Sequence, residues 1–156
     1  MLVSQRRGFT IIDTVVVISV IGIVAAISGP KLSAALQRRT TASAADVFAL
    51  THALTRSTAL RYGRIAQLHI DAPGNRFWVD VDTSANGVGQ RATIGNVRDL
   101  SENGFQMTST RSLVCFDARG LASTLGTCQS GDMKVVFLEG GLADTVTTTI
   151  LGKLLR

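Results

Sequence analysis

The longest apolar stretch of the chain lies near its start. The residues from Phe9 to Ser28 are a run of twenty that contains a single charge, Asp13. An α-helix rises about 1.5 Å per residue, so this run predicts a helix about 30 Å long, enough to cross the hydrocarbon core of a bilayer. Arg6 and Arg7 precede it, and a positive leader holds the N-terminus of a membrane protein in the cytoplasm. The pattern predicts one membrane-spanning helix followed by an exported segment.

Apolar residues at helical spacing follow the apolar run. Val47, Leu50 and Leu54 obey the i, i+3, i+7 pattern, which predicts an amphipathic helix that turns these side chains toward a globular head. Phe48 is expected to join that core, with a contact to another subunit as the alternative. Gly63 is the expected end of the helix, because glycine readily adopts the left-handed conformation that terminates helices.

Beyond Gly63 the apolar pattern changes to the alternation that is typical of strands. The strands are predicted at residues 65–70, 76–82, 112–116, 133–138 and 144–151. Residues 83–104 are rich in Gly, Asn, Asp and Ser and predict an irregular surface segment with at most a short strand at 92–94. The fold class predicted is α+β. A long N-terminal helix, transmembrane in its first half and amphipathic in its second, packs on a small antiparallel β-rich head.

The formal net charge of +5 lies mainly on the second half of the predicted helix. From Lys31 to Arg64 there are six basic residues against Asp46 alone, whereas from Ile65 onward eight basic residues face nine acidic ones. A basic helix face suits lipid headgroups, neighbouring subunits or nucleic acid, and a simple solvated face has the same pattern.

Two cysteines, Cys115 and Cys128, enclose a dozen residues. In an exported domain this pair is expected to form a disulfide, and in the cytosol two free thiols are expected. Two cysteines and two distant histidines, His52 and His69, do not form a metal-ligand cluster. The sequence also contains no glycine-rich phosphate loop and no nucleophile–base set, so neither an enzyme nor a cofactor is expected.

An ordinary secretory signal is the alternative interpretation of the apolar run. Its cleavage site would lie at Ala26-Ile27-Ser28. The run is longer than the usual ~7–15 apolar residues of such a signal. Pro30 follows directly, and the helical pattern continues beyond it. We therefore expect the run to remain in the mature protein.

The N-terminal sequence resembles the class III signal of type IV pilins and type II secretion pseudopilins. The resemblance is carried by Arg7, Gly8, Phe9, Asp13 and Pro30, the last being the twenty-second residue after Gly8. It implies that a prepilin peptidase cuts between Gly8 and Phe9 and methylates the new amine of Phe9, while the helix stays in the mature protein. That family normally has glutamate where this chain has Asp13, which keeps the carboxylate but shortens its reach by one methylene.

The resemblance also implies a role for Asp13 in assembly. A carboxylate inside a bilayer is costly and requires a partner. In a filament, Asp13 is expected to pair with the Phe9 amine of a neighbouring subunit, which fixes the axial register because a wrong register leaves a buried charge unpaired. Before assembly, the same carboxylate is expected to reach the nearby headgroups instead. Pro30 is expected to kink or loosen the helix.

The remainder of the chain is similar to the GspH/FimT branch of minor pseudopilins and minor pilins, through Phe116, Gly120 and the pair Gly152-Lys153. This resemblance implies a structural subunit that primes a filament or lies near its tip. The implied partners are other subunits through the N-terminal helix, the prepilin peptidase and an inner-membrane assembly platform, with the head in the periplasm. The predicted domains are a leader at 1–8, a transmembrane and polymerisation helix at 9–28, an amphipathic helix at 29–62 and the head at 63–156.

Some FimT-like minor pilins take part in DNA uptake through basic residues near the C-terminus. Lys153 and Arg156 lie at matching places and are candidate DNA contacts, against the alternative of two solvated charges. A few phosphate contacts give weak, salt-sensitive binding. The sequence does not separate a type IV pilus from a secretion pseudopilus, because both use the same helix chemistry.

Overall fold

The computed structural model describes residues 11–84, 89–101, 104–125, 128 and 131–156, and of residues 29, 30, 33 and 34 it describes the backbone alone. Within these residues one helix precedes eight strands. The elements are α1 (Ile11–Tyr62), β1 (Ala66–Asp71), β2 (Arg76–Asp82), β3 (Arg91–Asp99), β4 (Gln106–Ser109), β5 (Leu113–Phe116), β6 (Met133–Glu139), β7 (Leu142–Thr148) and β8 (Leu154–Leu155). The chain divides into two compact units, Met1–Leu36 and Gln37–Arg156, and α1 contributes to both. The domain boundaries predicted from the sequence remain predictions.

Helix α1 ends where the sequence predicts. Gly63 has φ +62°, and the N–H of Arg64 donates to the carbonyl of Ala59 at 3.2 Å. This bond closes the last turn of a helix that a left-handed glycine terminates. The helix also runs through Pro30 without ending there, and the kink expected at that position remains a prediction.

The strands form two antiparallel sheets that follow α1 in the chain. The first sheet has the order β3-β2-β1-β5 and the second has the order β4-β6-β7-β8. Residues of the Gln37–Tyr62 part of α1 share one hydrophobic core with both sheets. The predicted α+β class is therefore confirmed.

Strand β3 corrects the prediction for residues 83–104. The predicted irregular segment contains a strand of nine residues, Arg91–Asp99, which pairs with β2 along the edge of the first sheet. Apart from Ala92 and Ile94, which are half-buried, its residues are exposed. An edge strand with so few buried positions lacks the apolar alternation by which strands are recognised, so its pairing partner determines its structure.

The end of the chain also differs from the prediction of a last strand at 144–151. Strand β7 ends at Thr148, and the chain turns so that the N–H of Gly152 donates to the carbonyl of Thr149 at 2.8 Å. The N–H of Ile150 donates to the Asp132 carboxylate at 2.7 Å. These bonds replace ladder bonds, and the short strand β8 follows. Neither β8 nor the four-residue β4 was predicted.

The buried face of α1 is not the leucine stripe that the sequence predicts. Leu50 is 71% exposed and Leu54 is 39% exposed, whereas Val47 is half-buried. The prediction is wrong for both leucines. The buried residues of this half of the helix are Thr41, Ala44, Ala45, Phe48, Thr51, His52, Thr55, Thr58 and Ala59.

Threonine can replace leucine on the buried face because its hydroxyl is satisfied locally. The hydroxyls of Thr41, Thr51 and Thr55 donate to the carbonyls four residues earlier at 2.8–2.9 Å. A buried hydroxyl with a hydrogen-bond partner escapes most of the desolvation penalty.

Phe48 lies at the centre of this core, as expected. Its ring is fully buried and lies 5.4 Å from the ring of Phe77 on β2 and 5.8 Å from the ring of Phe137 on β6. Because β2 and β6 belong to different sheets, one helical side chain joins both sheets to the helix.

Candidate functional site

The predicted polymerisation helix is described from Ile11 onward. By length and composition the 18 residues Ile11–Ser28 can cross a membrane, and none of them is buried within the chain. An apolar surface of this extent requires lipid or other apolar helices around it. The first unit of the chain thus presents a surface that its own fold leaves uncovered.

The residues predicted to control processing and assembly lie within this stretch or next to it in the sequence. Asp13 is in the first turn of α1 as described. Gly8 and Phe9 lie outside the described residues, and the backbone of Pro30 is helical. Cleavage after Gly8, methylation of Phe9 and the pairing of Asp13 therefore remain predictions.

The predicted disulfide is confirmed. Cys115 on β5 is bonded to Cys128 in the loop that follows. Both cysteines are buried, and the side-chain amide of the buried Gln67 lies 3.9 Å from the Cys128 sulfur. Closing a loop of this size contributes on the order of 3 kcal/mol in the chain-entropy model. A disulfide in the small second unit fits an oxidising compartment.

Two residues of the second resemblance, Phe116 and Gly152, pack against each other, and Gly120 packs against α1. Phe116 is fully buried on β5, and its ring lies 5.0 Å from the ring of His52 on α1. Gly152 has φ +77°, and a Cβ there would lie 2.7 Å from the Phe116 ring. Gly120 has φ +73°, and a Cβ there would lie 3.1 Å from Nε of Arg56. Gly120 therefore lies directly against α1, whereas Gly152 lies against the Phe116 ring that contacts His52 of α1.

The two candidate DNA contacts differ in their surroundings. The guanidinium of Arg156 donates to the Asp144 carboxylate at 2.6 and 3.1 Å, to the carbonyl of Ala42 at 3.3 Å, and to the Asp46 carboxylate. The hydrogen bonds that Arg156 donates to Asp144 are the main cause that raises the Arg156 pKa. Lys153 is exposed and forms no ion pair within the described part of the chain. Arg156 thus attaches the end of the sequence to β7 and α1, and of these two candidates only Lys153 is without an ion pair in the described residues.

His52 is a buried histidine beside these loops. Its side chain is 5% exposed, and its Nε2 has no hydrogen-bond partner in the described structure. Burial lowers the His52 pKa to about 4, and the neighbouring positive charge of Arg56 adds to the effect. The imidazole is therefore neutral at pH 7. Sequence reasoning missed this environment because the residues around His52 lie far apart in the chain.

We expect His52 to make the second unit less stable in mild acid. The unfolded histidine binds a proton near pH 6.5 and the folded one near pH 4, so stability is complete above pH 6.5 and is lost as the pH falls toward 4. The loss attributable to His52 is on the order of 3 kcal/mol. Denaturation of the full chain in a mild detergent, followed by the fluorescence of the single tryptophan, measures it.

The comparison that isolates His52 is its replacement by glutamine. We expect the stability difference between wild type and His52→Gln to change between pH 6.5 and 4, because the variant cannot take up the proton. His69→Gln is the comparison at the other histidine. Burial lowers the pKa of His69 and the nearby Asp80 opposes the effect, so we expect a smaller pH-dependent change for this variant than for His52→Gln. Parallel stability curves for wild type and His52→Gln would contradict the prediction.

His69 on β1 lies beside a tryptophan and a carboxylate of the neighbouring strand β2. Its ring stacks on Trp78 with centroids 5.0 Å apart, and its Nε2 lies 3.3 Å from an Asp80 oxygen. Asp80 also accepts hydrogen bonds from Trp78 and Thr93. Asp80 is opposite Gln67 on the neighbouring strand, two positions from His69, so only the strand register reveals the contact. Among the described residues, no three histidine, cysteine or acidic side chains come together as a metal site.

No protein-family model matches the sequence, and no curated protein matches it. Solved structures do match. The type IV minor pilin FimU of Pseudomonas aeruginosa is 16% identical, with a TM-score of 0.57 over 76% of this chain and 88% of FimU. A second crystal form of FimU gives 15% identity and a TM-score of 0.53 over 72% of this chain and 89% of FimU.

The minor pseudopilin EpsH from the type 2 secretion system of Vibrio cholerae also matches. It is 18% identical, with a TM-score of 0.54 over 74% of this chain and 94% of EpsH. At such identities the likeness concerns the fold, since one fold can serve several functions. The chain has the fold of minor pilins and minor pseudopilins, as the N-terminal motif and the strand pattern predict.

Proposed function

We propose that this protein is a structural minor subunit of a type IV pilus or of a type II secretion pseudopilus. The observation that carries the proposal is a minor-pilin fold whose N-terminal helix has a predominantly apolar stretch of 18 residues that the chain itself does not bury. Before assembly the bilayer surrounds this helix, and after assembly the apolar helices of neighbouring subunits replace the lipid.

The proposed sequence of events starts with prepilin peptidase, which cuts after Gly8 and methylates the amine of Phe9. The subunit then waits in the inner membrane with its head in the periplasm, where the Cys115–Cys128 disulfide is stable. An assembly platform moves it into the filament, where it primes growth or lies near the tip. The role is structural, and no step requires a cofactor.

DNA binding is the alternative function that the sequence raises. The two carboxylates that hold Arg156 place negative charge beside the predicted contact. Binding to a polyanion then relies on Lys153, and a single phosphate contact gives little affinity. No observation in the structure favours this function over the structural one.

The intact mass of the protein recovered from membranes of its host tests the proposal. We expect a mass that corresponds to residues 9–156 plus one methyl group, less two hydrogens for the disulfide. A chain that starts at Met1 would be an unprocessed membrane anchor, and one that starts near Gly29 would be an ordinary secreted protein. Either of these masses would overturn the proposal.

A Gly8→Leu variant extends this test to the cleavage site. We expect the variant to accumulate with its leader attached, because the peptidase must approach the backbone closely at the residue before the cut. Ser4→Ala, a change within the same leader, is the control and should be processed normally. Normal processing of Gly8→Leu would show that the resemblance at the N-terminus is not functional.

A further inference from the structure

A cleft of about 290 Å³ lies between α1 and the 151–154 loop. It belongs entirely to the second unit of the chain. Its lining residues are Ala49, His52, Ala53 and Arg56 from the helix, and Leu151, Gly152, Lys153 and Leu154 from the loop. Gly152 packs on the ring of Phe116, and that ring lies 5.0 Å from the ring of His52 on the helix. The cleft is therefore a built feature of the fold, with the volume of a small binding site.

Two cations border this cleft. Arg56 and Lys153 are exposed, and neither forms an ion pair or a side-chain hydrogen bond in the described structure. Beneath them His52 is neutral, with Nε2 buried and unpartnered. Beside them Leu151 is 77% exposed. Two cations without an acidic partner, next to an exposed leucine, suit an interface with an acidic protein surface.

The carboxylates of the second unit are already engaged. Residues 37–156 contain thirteen basic and ten acidic side chains. Glu102 is outside the described residues. The other nine, Asp46, Asp71, Asp80, Asp82, Asp99, Asp117, Asp132, Glu139 and Asp144, each accept a hydrogen bond from within the chain. The positive charge at the cleft is thus not balanced from inside the described unit.

We infer that the cleft bordered by Arg56 and Lys153 receives a carboxylate side chain from a different subunit of the same filament. The inference rests on the proposed function. The two cations bind the carboxylate, and Leu151 packs against the apolar surface around it. Two exposed cations bind a free small anion weakly, but a filament presents its partner at a high effective concentration.

The occupant is inferred to be a different protein because each described carboxylate of the second unit already accepts a hydrogen bond within the chain, and Asp13 is assigned by the proposed function to the apolar helices of the filament. Nucleic acid fits less well. A phosphate backbone requires a row of available cations, and the third cation of this region, Arg156, is held by Asp46 and Asp144. A single carboxylate, by contrast, has the charge and the two oxygens to bind both cations of one cleft.

Site-specific photocrosslinking in the host tests the inference. A photoreactive amino acid replaces Leu151 in the full chain, and the adduct is identified by mass spectrometry of its peptides. We expect an adduct with another filament subunit at a peptide that contains Asp or Glu. Lys153→Glu should reduce its yield about tenfold or more, because a repulsive pair replaces an attractive one. Lys134→Glu, an exposed change on β6, is the matched control and should leave the yield unchanged.

Charge exchange completes this test. Replacing the crosslinked acidic residue of the partner with lysine should restore the adduct to the Lys153→Glu chain. An adduct with a second copy of this chain or with DNA, no adduct, or equal yields in wild type and Lys153→Glu would each overturn the inference. The intact mass of the same chain separates this failure from failure of the proposed function, because a processed, methylated chain without the adduct refutes only the cleft.

A second measurement examines the chemistry of the cleft directly. Acetate is added to the isotope-labelled full chain in detergent while NMR follows the imidazole of His52. We expect a saturable shift of the His52 resonances, since the bound carboxylate offsets the positive charge of Arg56 that acts on this ring. Chloride at the same ionic strength should not reproduce it, and Lys153→Glu should abolish it. A shift identical for both salts would overturn the inference.

Discussion

Replacing Phe48 with alanine is expected to lower the free energy of unfolding of the second unit by about 4 kcal/mol. The side chain is fully buried, and its ring contacts Phe77 in one sheet and Phe137 in the other. Its removal leaves a cavity at the point where the helix meets both sheets. Domains of this size are stable by only about 5–15 kcal/mol, so the variant should remain folded at a greatly reduced margin or unfold.

Denaturation of the full chain in a mild detergent, followed by tryptophan fluorescence, measures this loss. Leu50→Ala is the matched control, because Leu50 lies two residues away on the same helix and is 71% exposed. We expect that change to stay within about 0.5 kcal/mol of wild type. Equal losses for the two variants would mean that the helix packs through the leucine stripe, contrary to the structure.

Local signals in the sequence predict much of this fold. Gly63 ends α1 and residues 76–82 form β2, because a left-handed glycine and strict alternation act within a few residues. The prediction that Leu50 and Leu54 are buried fails because hydrophobicity alone favours leucine over threonine for a buried position. The threonines of α1 satisfy their hydroxyls within the helix, so they can be buried, and the sequence pattern does not record that.

The candidate site also has features that the sequence predicts and features that it does not. The cysteine pair is predicted from its number and spacing, because few alternatives exist for two cysteines in an exported domain. The ion pair of Arg156 is not predicted, since its partner Asp46 is 110 positions earlier in the chain. The cleft beside His52 likewise depends on how two distant segments meet. Contacts of this kind follow from the packing of the helix on the sheets, and the pattern of a single sequence does not reveal that packing.

Replacing Asp13 with alanine is expected to leave processing intact and to reduce incorporation into filaments about a hundredfold or more. The proposed pair between Asp13 and the Phe9 amine of a neighbour lies among apolar helices. Removing one partner of a buried ion pair leaves the other uncompensated, which costs about 3–5 kcal/mol. Asp13→Glu keeps the charge and extends the side chain by one methylene, so it should be tolerated. The ratio of the variant in sheared filaments to the variant in membranes measures incorporation, and intact mass confirms processing.

Ser19→Ala is the control for a polar change in the same apolar stretch. The Ser19 hydroxyl donates to the carbonyl of Val15 at 2.8 Å within its own helix, so its loss should not affect a neighbouring subunit. Incorporation of Asp13→Ala at the wild-type level would show that the carboxylate does not set the register. Poor incorporation of Asp13→Glu together with Asp13→Ala would show that register depends on the length of the side chain as well as its charge. The shorter acid would then be adapted to the spacing between subunits, because the distance to the neighbouring amine, and not charge alone, would decide which acid fits.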